Sequence, residues 1–256
     1  MSPEAPHRRQ LLAGLGATAA AALLPRPALA LGAGGQADVA ELRLTSGSLS
    51  RPAAWQRMLF EVINSTSVVA NPSVVQVAPE DPALFRHPFC VLIGDGALPE
   101  LSAAAAEQLV RYLSYGGFLV IDDATGAVDG PFARSVRKLC ARLFPTRPLA
   151  PLPGDHSLYR SFFLIDRPYG RLAVAQELHG VTLGPVTPLI YCPNDLSGAL
   201  DRSADGRDRY AVVPGGEDQR REAVKLGINL VLYSLTSNYK HDQAHVAELM
   251  REGRLE

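Results

Sequence analysis

The sequence is poor in residues that carry chemistry on their own. It holds three cysteines, Cys90, Cys140 and Cys192, too few for a disulfide framework and without a C-x-x-C spacing. They read as small buried hydrophobes, with one disulfide still open in an oxidising compartment. No G-x-S-x-G elbow, P-loop or H-E-x-x-H is present, which removes the common serine-hydrolase, nucleotide-binding and zinc-protease arrangements. Neither charge is in excess, with 25 basic side chains against 26 acidic ones. That balance points to no nucleic-acid partner and to no acidic disordered tail. The domain has no internal repeat and no low-complexity tract. What is abundant is apolar surface: 47% of the residues are hydrophobic, enough for a substantial core.

The N-terminus reads as an address. His7-Arg8-Arg9-Gln10-Leu11-Leu12 is followed by an Ala/Leu/Gly-rich run to Leu24 and by the small-residue site Ala28-Leu29-Ala30. Charged start, short apolar middle and A-x-A end make a secretory signal. The arginine pair selects the twin-arginine export machinery as a partner. His7 stands where Ser or Thr is more usual, so the general secretory route stays open. The run is too short to span a bilayer comfortably, and no lipid-acceptor cysteine follows it. Residues 1–30 are thus expected to be a twin-arginine signal peptide and 31–37 a flexible leader. Residues 38–250 form a single domain, exported to the periplasm with no stable membrane span. Gly14-Leu15-Gly16-Ala17-Thr18-Ala19 resembles a dinucleotide fingerprint, but no strand precedes it.

Within the domain, two-sided apolar runs alternate with helical stripes. Val39 to Leu44 alternates as a strand with one better-buried face, Ala40, Leu42 and Leu44. Trp55, Met58, Leu59 and Val62 stripe a helix over 52–64, with Pro52 in its first turn and Ser50 as a cap. Ser73 to Ala78 is a short strand. Phe89 to Ile93 and Phe118 to Ile121 are apolar on both sides, as strands in the middle of a parallel sheet must be. Helices are expected over 102–115, closed by Gly116-Gly117, and over 132–143. The second half is broken by Pro145, Pro148, Pro151 and Pro153, with 156–165 a short helix or extended segment. A strand is expected at Val186 to Cys192, a polar loop over 201–209 and a helix over 217–235. The class is α/β: a mostly parallel sheet flanked by helices.

Ligands of open α/β sheets sit beyond the carboxyl ends of the strands. Those ends carry Asp95, then Asp122 and Asp123, then Asn194 and Asp195. Asp155-His156-x-x-Tyr159-Arg160 is the densest polar cluster of the second half. The candidate ligand-binding rim is therefore Asp95, Asp122, Asp123, His156, Tyr159, Arg160, Asn194 and Asp195. The bland alternative is that these residues cap turns and helices. His156 beside an acid has the chemistry of a general base. His241 and His245 have metal-sharing helical spacing but no further ligand, and no metal site or catalytic residue is assigned.

These segments resemble a known family. Gly116-Gly117-Phe118-Leu119-Val120-Ile121-Asp122-Asp123, Leu143-Phe144-Pro145, Asp155-His156-x-x-Tyr159, Tyr191-Cys192-Pro193-Asn194-Asp195-Leu196 and Leu226-Gly227-Ile228-Asn229 occur in the order found in bacterial "domain of unknown function 4159" proteins. So does Leu235-Thr236-Ser237-Asn238-Tyr239-Lys240. The resemblance implies a flavodoxin-like, class I glutamine-amidotransferase-like three-layer sandwich. It implies no activity. In that superfamily a catalytic cysteine follows a central strand, where this chain has Gly94-Asp95-Gly96. Many members carry a cysteine after the Asp pair, where this chain has Ala124-Thr125. By analogy with neighbouring chaperone-like ATPases, the resemblance also suggests an envelope assembly role. Two readings follow. One is a non-catalytic periplasmic binding or accessory module for a small ligand or envelope protein. The other is a hydrolase or transferase using the Asp/His rim, with or without a divalent cation, which needs Asp122 or Asp123, His156 and Asp195 to converge.

Overall fold

The computed structural model describes residues 36–251, with side chains described as far as residue 237. The expected signal peptide and residues 31–35 lie outside that range, as do the side chains of His241 and His245. Ala37, read as leader, is buried and bridged to Ala70, so paired structure reaches back to it.

Eight strands make one sheet: β1 (Val39–Leu42), β2 (Ser48–Leu49), β3 (Val75–Val77), β4 (Phe89–Gly94), β5 (Phe118–Asp123), β6 (Ala150–Pro151), β7 (His179–Leu183) and β8 (Val186–Cys192). Their order is β3-β1-β4-β5-β8-β7-β6, with β2 beside β4. Strands β3, β1, β4, β5 and β8 run parallel, whereas β2, β7 and β6 are antiparallel to their partners. The helices are α1 (Pro52–Ser65), α2 (Ala103–Ser114), α3 (Pro131–Leu143), α4 (Leu196–Leu200) and α5 (Gly216–Arg251). Among the described residues no helix is long and apolar enough to cross a membrane.

The period of two along the central strands builds two cores. Phe89, Val91, Ile93, Phe118, Val120 and Ile190 face Trp55, Met58, Leu59 and Val62 of α1 and Ala223, Leu226, Leu230 and Val231 of α5. Cys90, Leu92, Leu119, Ile121 and Leu189 face Leu109 and Leu113 of α2 and Phe132, Val136 and Leu139 of α3. Both faces of β4 and β5 are covered, which is why their sequences are apolar without alternation.

Three local expectations change. Strand β1 is buried at all four positions, Glu41 included, because β3 and β4 flank it. Ser50 does not cap α1. Its hydroxyl donates to Glu41 at 2.6 Å, while Glu41 also accepts the Arg51 N–H at 2.7 Å. The expected irregular second half contains β6 and β7, and β7 pairs with β8 across the two-residue turn Gly184-Pro185. A Gly-Pro pair reads as a break in sequence and serves here as a hairpin turn. Segment 156–165 is a single 3-10 turn, Ser157–Arg160, followed by irregular chain.

The carboxyl end of β4 is one of the tight points of the fold. A methyl group on Gly94 would lie 2.1 Å from the Phe132 ring and 2.5 Å from the Gly47 carbonyl oxygen. Gly94→Ala therefore overpacks the junction of β4, β2 and α3 and is expected to cost about 2–3 kcal/mol. Chemical denaturation of the variant checks this, and an unchanged midpoint would contradict it.

Candidate functional site

The registers place the carboxyl ends of the parallel strands on one edge. Gly94 of β4 lies opposite Asp123 of β5, and Asp122 lies opposite Cys192 of β8. Asp95, Asp122, Asp123, Asn194 and Asp195 are thus neighbours along that edge. Their side chains then part. Successive strand residues point to opposite faces, so Asp122 turns toward α1 and α4 while Asp123 turns toward Tyr191.

Asp122 and Asp195 are fully buried. Asp122 accepts the backbone N–H of Leu196 at 2.8 Å and of Ser197 at 2.7 Å, holding the first turn of α4. Asp195 precedes that helix with φ 54°, a left-handed backbone that Asp tolerates better than most residues. One of its oxygens accepts the Gly198 N–H at 3.0 Å and the Arg51 guanidinium at 2.5 Å. The other is bound by Arg171. The two guanidiniums also flank the Tyr210 ring, 5.0 and 5.7 Å from its centroid. Trp55 completes the cluster, donating its indole N–H to Ser197 at 3.0 Å. Burial, and then the charge of Asp195, push the Asp122 carboxyl up to about 6.

Asn194 spends its whole amide on the loop 168–175. It donates to the carbonyls of Pro168 at 2.6 Å and Ala175 at 3.0 Å, and accepts the N–H groups of Val174 at 3.0 Å and Ala175 at 2.9 Å. Gly170 lies so close that a methyl there would stand 2.1 Å from the Asn194 carbonyl oxygen. The loop is thereby laid against the end of β8, which delivers Arg171 to Asp195. Asp123 accepts the Tyr191 hydroxyl at 2.7 Å and the Thr125 hydroxyl at 2.6 Å. Asp95 is exposed at the edge.

His156 does not join this edge, whereas the Tyr159 hydroxyl comes level with the end of β8, at Leu178 beside the His179–Tyr191 pair. His156 accepts the Leu158 N–H at 3.2 Å and meets the Thr187 hydroxyl at 3.0 Å, near the start of β8. From Thr187 to Cys192 the strand advances roughly 16 Å, so His156 and Asp195 mark opposite ends of it. Tyr159 is buried and accepts the Leu178 N–H at 3.1 Å, and Arg160 is exposed. The convergence required by the Asp/His hydrolase or transferase reading is not formed, because His156 is seated at the opposite end of β8, against Thr187 and the Tyr233 ring of α5. All three cysteines are free and buried, and desolvation pushes Cys90 and Cys140 up to about 12. Among the described residues no group of three or more His, Cys, Asp or Glu is arranged to hold a metal ion.

Sequence reasoning missed Arg51, Arg171, Ser197 and Tyr210. Arg51 binds a partner 144 residues away, so no local spacing carries it. The Pro168-Tyr169-Gly170-Arg171 stretch does carry a hint, since Pro and Gly around a lone Arg mark a tightly held loop.

A family model described as Domain of unknown function (DUF4159) matches residues 38–235. No curated protein matches the chain.

Two expectations follow for the buried acids. Asp195→Ala leaves Arg51 and Arg171 without their shared anion and is expected to cost about 3–5 kcal/mol, read by denaturant unfolding. Asp122 has a folded pKa above its unfolded value, so it binds more protons folded than unfolded between pH about 4 and about 6. Its contribution to stability is fully present below that window and is lost as pH rises through it. The destabilisation caused by Asp122→Asn should therefore shrink from pH 4 to pH 7. A pH-independent difference would contradict the shift.

Proposed function

The chain belongs to the DUF4159 family, and we propose that it serves as an exported, non-catalytic binding or accessory module. The observation that carries this reading is the engagement of the buried acids and amide at the carboxyl edge. Asp122, Asp195 and Asn194 spend their polar atoms on backbone groups and guanidiniums of the same chain. A carboxylate so engaged is not poised as a base, a nucleophile or a cation ligand. The buried cysteines, with thiols pushed upward by desolvation, are equally unsuited to attack.

We also propose a flavodoxin-like arrangement. Numbered in chain order among themselves, the five parallel strands run 2-1-3-4-5, the order of that fold. The division of helices between the faces, α1 and α5 against α2 and α3, supports it. Export rests on the N-terminal sequence: the Arg8-Arg9 pair, the apolar run and Ala28-Leu29-Ala30.

Two experiments test this reading. Fractionation of cells producing the full chain should find it in the periplasm, shortened near Ala30. The Arg8→Lys, Arg9→Lys double variant should stay in the cytoplasm, and identical fractionation of the two would remove the twin-arginine assignment. The purified domain should turn over no member of a panel of chromogenic esters, phosphoesters, glycosides and peptides. Turnover lost in a folded Asp195→Asn variant would overturn the non-catalytic reading.

A further inference from the structure

Helix α3 carries Arg134, Arg137, Lys138 and Arg142 and no acidic residue, in a chain whose charges balance only as a whole. Arg134, Lys138 and Arg142 follow one another at i, i+4 and i+8, so they share one helix face. That face is one wall of a cavity of about 540 Å³; the other is the segment Ala97 to Leu101, which follows β4. The size falls within the range of small-molecule sites, about 300–1,000 Å³.

The groove is held open by bonds at both ends. At one end the Ser135 hydroxyl accepts the Leu98 N–H at 2.9 Å and donates to the Phe132 carbonyl at 2.7 Å. At the other, Arg142 donates to the Leu101 carbonyl at 2.7 Å and lies 3.7 Å from Glu100. The clamp residues Ser135 and Arg142 are seven positions apart, about 10 Å along the axis. Between them Leu139 forms an apolar floor, with Leu98 and Pro99 opposite. Lys138 stands above that floor and makes no hydrogen bond or ion pair among the described residues. Arg134 uses one donor on the Asp129 carbonyl, leaving the rest of its guanidinium for another acceptor.

We propose that this groove binds a small amphipathic anion, a medium-chain carboxylate or phosphate monoester. Its apolar body lies along Leu98, Pro99 and Leu139, and its head is held by Lys138 and Arg134. The site is separate from the buried acids of the carboxyl edge, and the assignment rests on the reading of the chain as a binding module. An unpaired ammonium over an apolar floor between fixed walls favours a ligand with both an anionic and an apolar part. Inorganic phosphate meets only the first and 1-octanol only the second.

Calorimetric titration with octanoate and octyl phosphate tests this. Both should bind the mature chain, and inorganic phosphate and 1-octanol should bind at least tenfold more weakly. Lys138→Glu and Arg134→Glu should each weaken octanoate at least tenfold, whereas Arg209→Glu, on an exposed loop, should leave it unchanged. No binding of either amphiphile would overturn the proposal, as would equal affinity in the charge-reversed variants. Binding to phosphatidylglycerol vesicles without binding of octanoate would also overturn it, assigning the face to a membrane surface. Calorimetry reads occupancy alone, so its failure leaves the non-catalytic reading standing. Turnover in the substrate panel would remove that reading, and with it the groove's role in a binding module, whatever the calorimetry shows.

Discussion

The Asp195 carboxylate holds the carboxyl edge of this sheet together. It is fully buried, and an unpaired buried carboxylate is too costly to persist. Arg51 reaches it from the start of α1 and Arg171 from the loop 168–175, while the Gly198 N–H binds it from its own helix. Three separate segments are thus ordered around one anion. Asp122 repeats the device one strand away by holding the Leu196 and Ser197 amides. Breaking either partnership would strand charge in a low-dielectric interior, so the arrangement is fixed rather than adaptable.

This has a consequence for function. The carboxyl edge of an open α/β sheet is the usual place for a ligand. Here α4, the loop 168–175 and Tyr210 fill the part of that edge around β5 and β8, and the polar groups there are spent on architecture. The groove beside α3 differs in each respect. Its walls are fixed, but its central ammonium is not spent, and its floor is apolar.

How far the sequence disclosed this follows from the range of each interaction. The central strands β4 and β5 were legible because burial on both faces leaves a continuous apolar run. Helices α1 and α3 were legible from stripes of period 3.6 and α2 from its alanines and the closing Gly116-Gly117, and Ser102 caps α2 by accepting the Ala105 N–H at 3.0 Å. The position of the acids at strand ends was legible for the same local reason. Their partners were not, because Arg51 and Arg171 meet Asp195 only after the chain has folded. Glu41 was misjudged because a charge in an alternating strand ordinarily marks a solvent face, and nothing nearby reveals that Arg51 and Ser50 return to cover it. His156 was misjudged because adjacency to Asp155 says nothing about which end of the sheet the Pro-rich segment reaches.

Amide hydrogen exchange at Leu196, Ser197 and Gly198 tests the lock most directly. These three N–H groups donate to the carboxylates of Asp122 and Asp195, not to a regular backbone ladder. If the carboxylates hold the edge, the three amides exchange only through global unfolding, with protection matching that of Val120 in the centre of β5. Exchange at the rate of an exposed loop would show that the edge opens freely, and the account of it as a saturated structural lock would be wrong.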